Sequence, residues 1–209
     1  MRFVPPLKAG PWAGHCEFAG WIVEHHRPQT IVELGVWHGC SFLSFCEAVT
    51  VFGVDCECYG VDTWEGDEHA GYYGADSTVY DGFALKAHAF KCASWFRTTF
   101  DEAATLFQPG QIDLLHIDGL HTYEAVKHDF ETWLHLLSER AVVLLHDINV
   151  PENPTFGVGK FFDELKATYM TFEMPWSHGL GVVRVGPGAL HELFEGDPCG
   201  LLVKFAERA

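Results

Sequence analysis

Short apolar runs alternate along this chain with longer stretches in which apolar positions recur every three or four residues. The runs at 30–36, 58–62, 95–100, 112–117, 141–145, 171–174 and 181–185 read as strands. The periodic stretches at 12–27, 40–49, 79–92, 101–107, 123–137 and 158–169 read as helices, and the tail 189–209 as helical in part. In 123–137, for example, Val126, Phe130, Trp133, Leu134 and Leu137 fall on one side. Asp101 stands near the start of its helix, and Pro28 ends the first one. Strands alternating with helices predict a mostly parallel α/β sheet with right-handed crossovers. Ligands bind such sheets outside the carboxyl ends of the strands, and Glu33-Leu34-Gly35, Asp62, Asp118 and Asp147 all fall there.

Without repeats or low-complexity tracts, residues 1–209 read as one domain: a helical extension (1–29), a core (30–186) and a tail (187–209). Hydrophobic residues at 48% and charged residues at 20% are globular proportions. Thirteen Lys and Arg against 29 Asp and Glu leave a formal charge of −16, which repels phosphate backbones and argues against nucleic acid as a partner. No apolar run is long enough to cross a bilayer, and Met1-Arg2-Phe3-Val4-Pro5-Pro6 lacks the apolar stretch of a secretory signal, so a cytoplasmic protein is expected. The seven cysteines, at 16, 40, 46, 56, 58, 92 and 199, show no zinc-site spacing and read as reduced thiols that mostly fill the core.

The turn Glu33-Leu34-Gly35-Val36-Trp37-His38-Gly39 links a strand to a helix. Gly35 permits a tight turn and close approach of a ligand, and Gly39 relieves crowding where the helix starts. Asp62, ending the next strand, is placed to accept hydrogen bonds from a ribose diol, and Trp64 offers a face to adenine. A pyrophosphate-binding turn needs a glycine where Trp37 stands, and Glu33 adds negative charge, so a cationic sulfonium cofactor fits better than a dinucleotide.

Asp118 and Asp147 end two further strands, as two hard carboxylates suited to Mg²⁺ or a similar ion. His121, three residues after Asp118, is placed to take a proton from a substrate hydroxyl. The loop 65–74, with Asp67, Glu68, His69, Tyr72 and Tyr73, suits a carbohydrate-facing lid as well as it suits an ordinary surface loop.

Val32-Glu33-Leu34-Gly35, the run 59–69 from Tyr59-Gly60-Val61-Asp62, Ile117-Asp118-Gly119-Leu120-His121-Thr122-Tyr123 and Val142-Val143-Leu144-Leu145-His146-Asp147 together resemble the class I methyltransferases. The resemblance spans about residues 30–186, and its branch is that of metal-dependent sugar O-methyltransferases of macrolide-sugar and glycan biosynthesis. It implies a Rossmann-like, seven-stranded, mostly parallel sheet with helices on both faces. It further implies S-adenosylmethionine held by Glu33, Gly35, Gly39, Asp62, Trp64 and Asp118, a metal on Asp118 and Asp147, and His121 as the base. Similar enzymes often carry two adjacent acids at the second metal strand. Here the residues are His146-Asp147-Ile148-Asn149, which leaves His146 or Asn149 as third ligand. The acceptor implied is a small molecule or glycan, contacted by His69, Tyr72 and Tyr73. Homo-oligomerisation stays open. Two other functions fit the same residues: a metal-dependent hydroxylase or hydrolase, and a non-catalytic cofactor-binding domain of a glycan-assembly system.

Overall fold

A computed structural model describes residues 3–6, 10–73, 76–188, 203, 205 and 206. Seven strands form one sheet: β1 (Thr30–Leu34), β2 (Glu57–Asp62), β5 (Ala93–Arg97), β6 (Ile112–Ile117), β7 (Leu137–His146), β8 (Met170–Met174) and β9 (Leu180–Arg184). Their order is β5-β2-β1-β6-β7-β9-β8, and β9 alone runs antiparallel to its neighbours. The order reverses between β1 and β6, which opens a crevice at their carboxyl ends.

Alternation along the strands divides the core in two. Ile31, Leu114 and Val142 face one side, where α1 (Cys16–His26) and α2 (Cys40–Phe52) pack. Val32, Leu115 and Val143 face the other, against α4 (Phe100–Ala104), α5 (Tyr123–Trp133) and α6 (Val158–Leu165). All residues of β1 and β6 are buried, as expected of central parallel strands covered on both faces.

Several boundaries differ from the periodicity for local reasons. The stretch 12–27 splits into a 3-10 turn, Pro11–His15, and α1. The helix α3 (Thr78–Ala87) stops before Cys92. Phe100 belongs to α4 rather than to a strand, because Thr99 and Glu102 form a reciprocal capping box ahead of Asp101. Within the loop after β2, residues 66–72 fold back as a small hairpin, β3 (Gly66–Asp67) with β4 (Gly71–Tyr72). Most of the tail 189–209 lies outside the described residues; Phe205 is buried, edge-on to Phe18 at 5.4 Å and to Trp21 at 5.8 Å.

Candidate active site

A cavity of about 570 Å³ opens over the reversal point, a volume suited to a cofactor-sized ligand. Its floor is the turn after β1. Gly35 has φ 87°, and a Cβ there would lie 2.1 Å from the Asp118 carbonyl oxygen, so only glycine lets β1 and β6 meet this closely. The two strand ends are joined by Asp118 N–H donating to Leu34 O at 2.8 Å.

Asp62 reaches across from β2 and organises the same turn. Its Oδ2 accepts the backbone N–H groups of Val36 and Trp37, each at 2.9 Å, and its Oδ1 accepts that of Trp64 at 2.7 Å. A carboxylate offers about four acceptor positions. Three are taken, so Asp62 keeps room for one further donor rather than two. Burial pushes its carboxyl above the usual range, against the three N–H groups that lower it.

Other residues singled out by the sequence stand behind the cavity wall. Trp64 is 1% exposed, stacks on Phe83 at 5.1 Å and donates Nε1–H to Trp37 O; it braces the turn and leaves no face for adenine. Gly39, φ 83°, makes room for Phe83 instead of a ligand. Glu33 is fully buried and accepts from Ser41 Oγ at 2.8 Å and His116 Nδ1 at 2.9 Å. Since Trp12 Nε1–H donates to His116 Nε2 at 3.1 Å, the proton of His116 sits on Nδ1. Glu33 therefore anchors, through His116, a tryptophan that lines the cavity.

The second half of the site joins three loops. His121 Nε2 lies 2.8 Å from Asp147 Oδ2 and 3.6 Å from Asp118 Oδ1, and one donor atom from each of these residues fits within 4.8 Å. Two hard oxygens and an imidazole nitrogen suit a divalent cation. His146 is no third ligand: Nε2 donates to Ser177 O at 3.0 Å and Nδ1 to Asp118 Oδ1 at 3.2 Å, leaving no lone pair. Burial lowers its pKa, but Asp118 and Asp147 outweigh that and raise it to about 10. His121 is likewise raised to about 9 by the two carboxylates against burial. Burial favours the neutral acids, yet the imidazoles hold Asp147 at about 2 and Asp118 well below the usual range. Asn149 lies outside the residues that line the cavity, and its Nδ2 donates to Pro175 O at 3.0 Å.

The hairpin β3–β4 covers this corner. Asp67 Oδ1 accepts from the N–H groups of His69 and Ala70, both at 2.7 Å, which shapes the tip. Phe156 packs face to face with both His69 and His121, at 4.5 Å each, and His69 Nε2 meets Thr155 Oγ1 at 2.9 Å. Tyr73 lines the cavity, whereas Tyr72 is 77% exposed and points away. The sequence does not single out Trp12, Trp37, Phe156 or His178 as cavity residues, although His178 Nδ1 lies 3.0 Å from Asp147 Oδ1. Each arrives by long-range packing that no local pattern announces.

Among the described residues the cavity wall carries Asp62, Asp67, Asp118 and Asp147 and neither Lys nor Arg. That wall opposes a pyrophosphate and attracts a sulfonium. A seven-stranded sheet reversing over such a cavity is that of an S-adenosylmethionine-dependent methyltransferase of class I. Residues 32–148 match the family described as "Methyltransferase domain", and the chain belongs to it. The uncharacterized protein y4gI of Sinorhizobium fredii is 42% identical over 182 residues, which cover 87% of this chain and 20% of that protein. The chain thus spans about a fifth of the length of the curated relative it matches. Among solved structures, the O-methyltransferase TomG from Streptomyces achromogenes in complex with SAM is 16% identical with a TM-score of 0.59, covering 83% of this chain and 80% of that one. The SAH-bound methyltransferase PaMTH1 of Podospora anserina is 13% identical with a TM-score of 0.60, covering 81% and 77%. At these identities the likeness is one of fold.

Proposed function

We propose that this chain methylates a hydroxyl oxygen of a sugar or glycan, using S-adenosylmethionine and a divalent cation held by Asp118 and Asp147. The observation that carries the reading is the gathering of Asp118, His121 and Asp147 within 4.8 Å in the cavity wall. S-adenosylmethionine supplies an electrophilic methyl group and leaves as a neutral thioether. A divalent cation would lower the pKa of an acceptor hydroxyl. Asp62 and the Gly35 turn position the cofactor. With a cation on Asp118 and Asp147, His121 would be released from the two carboxylates that keep it protonated, and its freed Nε2 then takes the proton that the acceptor oxygen loses. His69, Tyr73 and Phe156 offer polar edges and flat faces suited to a hydroxylated ring.

One geometric fact favours a variant of this scheme. The nitrogen of His121 that would accept the proton is the one turned toward both carboxylates. A cation there would compete for it, which would make His121 a third ligand and His69 the base. Binding of Mn²⁺ followed by electron paramagnetic resonance, alongside turnover on a panel of sugar acceptors, separates the two. As base, His121→Ala abolishes turnover and keeps Mn²⁺ affinity; as ligand, it loses both, and His69→Ala loses turnover alone. Wild-type methyl transfer in both variants would sink the assignment.

A further inference from the structure

We propose that Cys46, Cys58 and Cys92 form a three-sulfur site for a soft, thiophilic metal ion, separate from the methyl-transfer cavity. Their sulfurs lie within 4.8 Å of one another, although the residues come from the middle of α2, the start of β2 and the residue before β5. None of the three lines the cavity. Positions 46, 58 and 92 give no zinc-like signature, so these thiols read along the chain as core filler; the fold brings them together.

The convergence is fixed by backbone. Cys58 N–H donates to Cys92 O at 2.8 Å, which continues the parallel ladder in which Cys58 pairs with Ala93. Cys46 comes down from α2 onto the same face, in the apolar layer that contains Cys58. Cys46 and Cys58 are buried, and Cys92 is half-buried and gives the cluster a path to solvent. The thiolate is the ligating form, so an entering ion displaces the thiol protons to solvent with no change of oxidation state.

Ligand softness and number identify the ion. Structural zinc is closed by four ligands. Here, among the described residues, three sulfurs meet with no carboxylate or imidazole in the group, in a mostly apolar layer. Thiolates favour Cu(I), zinc and iron–sulfur clusters, and since the last two are held by four ligands, three sulfurs point to Cu(I). Such an ion would clip α2 to the β2–β5 edge, behind the turn that receives the cofactor.

Anaerobic titration of the purified chain with Cu(I), against a chromophoric Cu(I) chelator, tests this. One equivalent should bind, with a near-ultraviolet thiolate charge-transfer band and X-ray absorption showing three sulfur neighbours. Cys58→Ser and Cys92→Ser should each weaken binding by about two orders of magnitude or more. Cys16→Ser and Asp118→Asn should leave it unchanged. Because the buried Cys58 variant can fail to fold, Cys92→Ser, checked by its melting curve, is the decisive one. Binding indifferent to Cys92→Ser, a loss equally caused by Cys16→Ser, or a disulfide among the three thiols in freshly prepared protein would each overturn the proposal.

Discussion

Asp62 accepts the backbone N–H of Trp37 at 2.9 Å and thereby holds a bulky residue in the left-handed region, at φ 50°. Tryptophan adopts that conformation only when surrounding contacts impose it. The same carboxylate takes the N–H groups of Val36 and Trp64, and Trp64 returns a bond to the carbonyl of Trp37. The shape of the cofactor turn is thus dictated by the end of the next strand.

Asp62→Ala leaves three N–H groups without their acceptor. Hydrogen bonds to charged groups contribute about 1.5–3 kcal/mol each and are not additive, so a loss of roughly 2–4 kcal/mol is expected. Calorimetric titration with S-adenosylhomocysteine should show weakened binding, and Asp62→Asn should fall between the two. A variant that melts and binds as wild type does would show that Asp62 does not hold the turn.

Gly35→Ala meets two obstacles at once: a φ of 87° and a carbonyl oxygen 2.1 Å from the added carbon. Relief requires β1 and β6 to part at Asp118. The expected result is a lower melting temperature together with a loss of turnover beyond what reduced folding explains, measured on the folded fraction.

Glu33→Ala strands Ser41 Oγ and the Nδ1–H of His116 in the core, with an expected loss of about 3–5 kcal/mol. Glu33→Gln keeps one acceptor and should cost less. Because His116 steadies Trp12, the folded Gln variant should raise KM for the cofactor while kcat changes little; steady-state kinetics at saturating acceptor check this.

Asp129 sits 6% exposed on α5, and burial, with Asp101 adding to it against His128, raises its carboxyl from 3.8 to about 7. The folded state therefore holds this proton more tightly than the unfolded chain. Its contribution to stability is complete below about pH 4 and is lost as pH rises through about 7. Over that window, 3.2 pKa units at 1.36 kcal/mol each give an upper bound of about 4 kcal/mol. Urea denaturation at a series of pH values should show the decline, and Asp129→Asn should flatten it. An unchanged pH profile in the variant would assign the effect elsewhere.

The inner strands were legible because burial on both faces writes a strand as a near-continuous apolar run, as in residues 141–145. The convergence of Asp118, His121 and Asp147 was legible because strand ends in such sheets gather around one crevice. What local pattern could not show was direction. Trp64 and Tyr72 have the right chemistry near the right turn, yet one is packed under Phe83 and the other faces solvent. Nor could it show Trp12 returning over the cavity, since the bond that fixes it joins residues 104 positions apart. The hairpin in 64–76 escaped notice because its strands are only two residues long.

Phe156, His69 and His121 meet from three different connections, and Gly157 N–H to His121 O at 2.7 Å ties two of those connections together. The floor beneath them rests on strand ends and main-chain bonds. On the proposed assignment, substitutions in the connections can therefore recontour the acceptor side while the donor side stays intact. A lineage built on this plan is free to change what it methylates long before it changes what it methylates with.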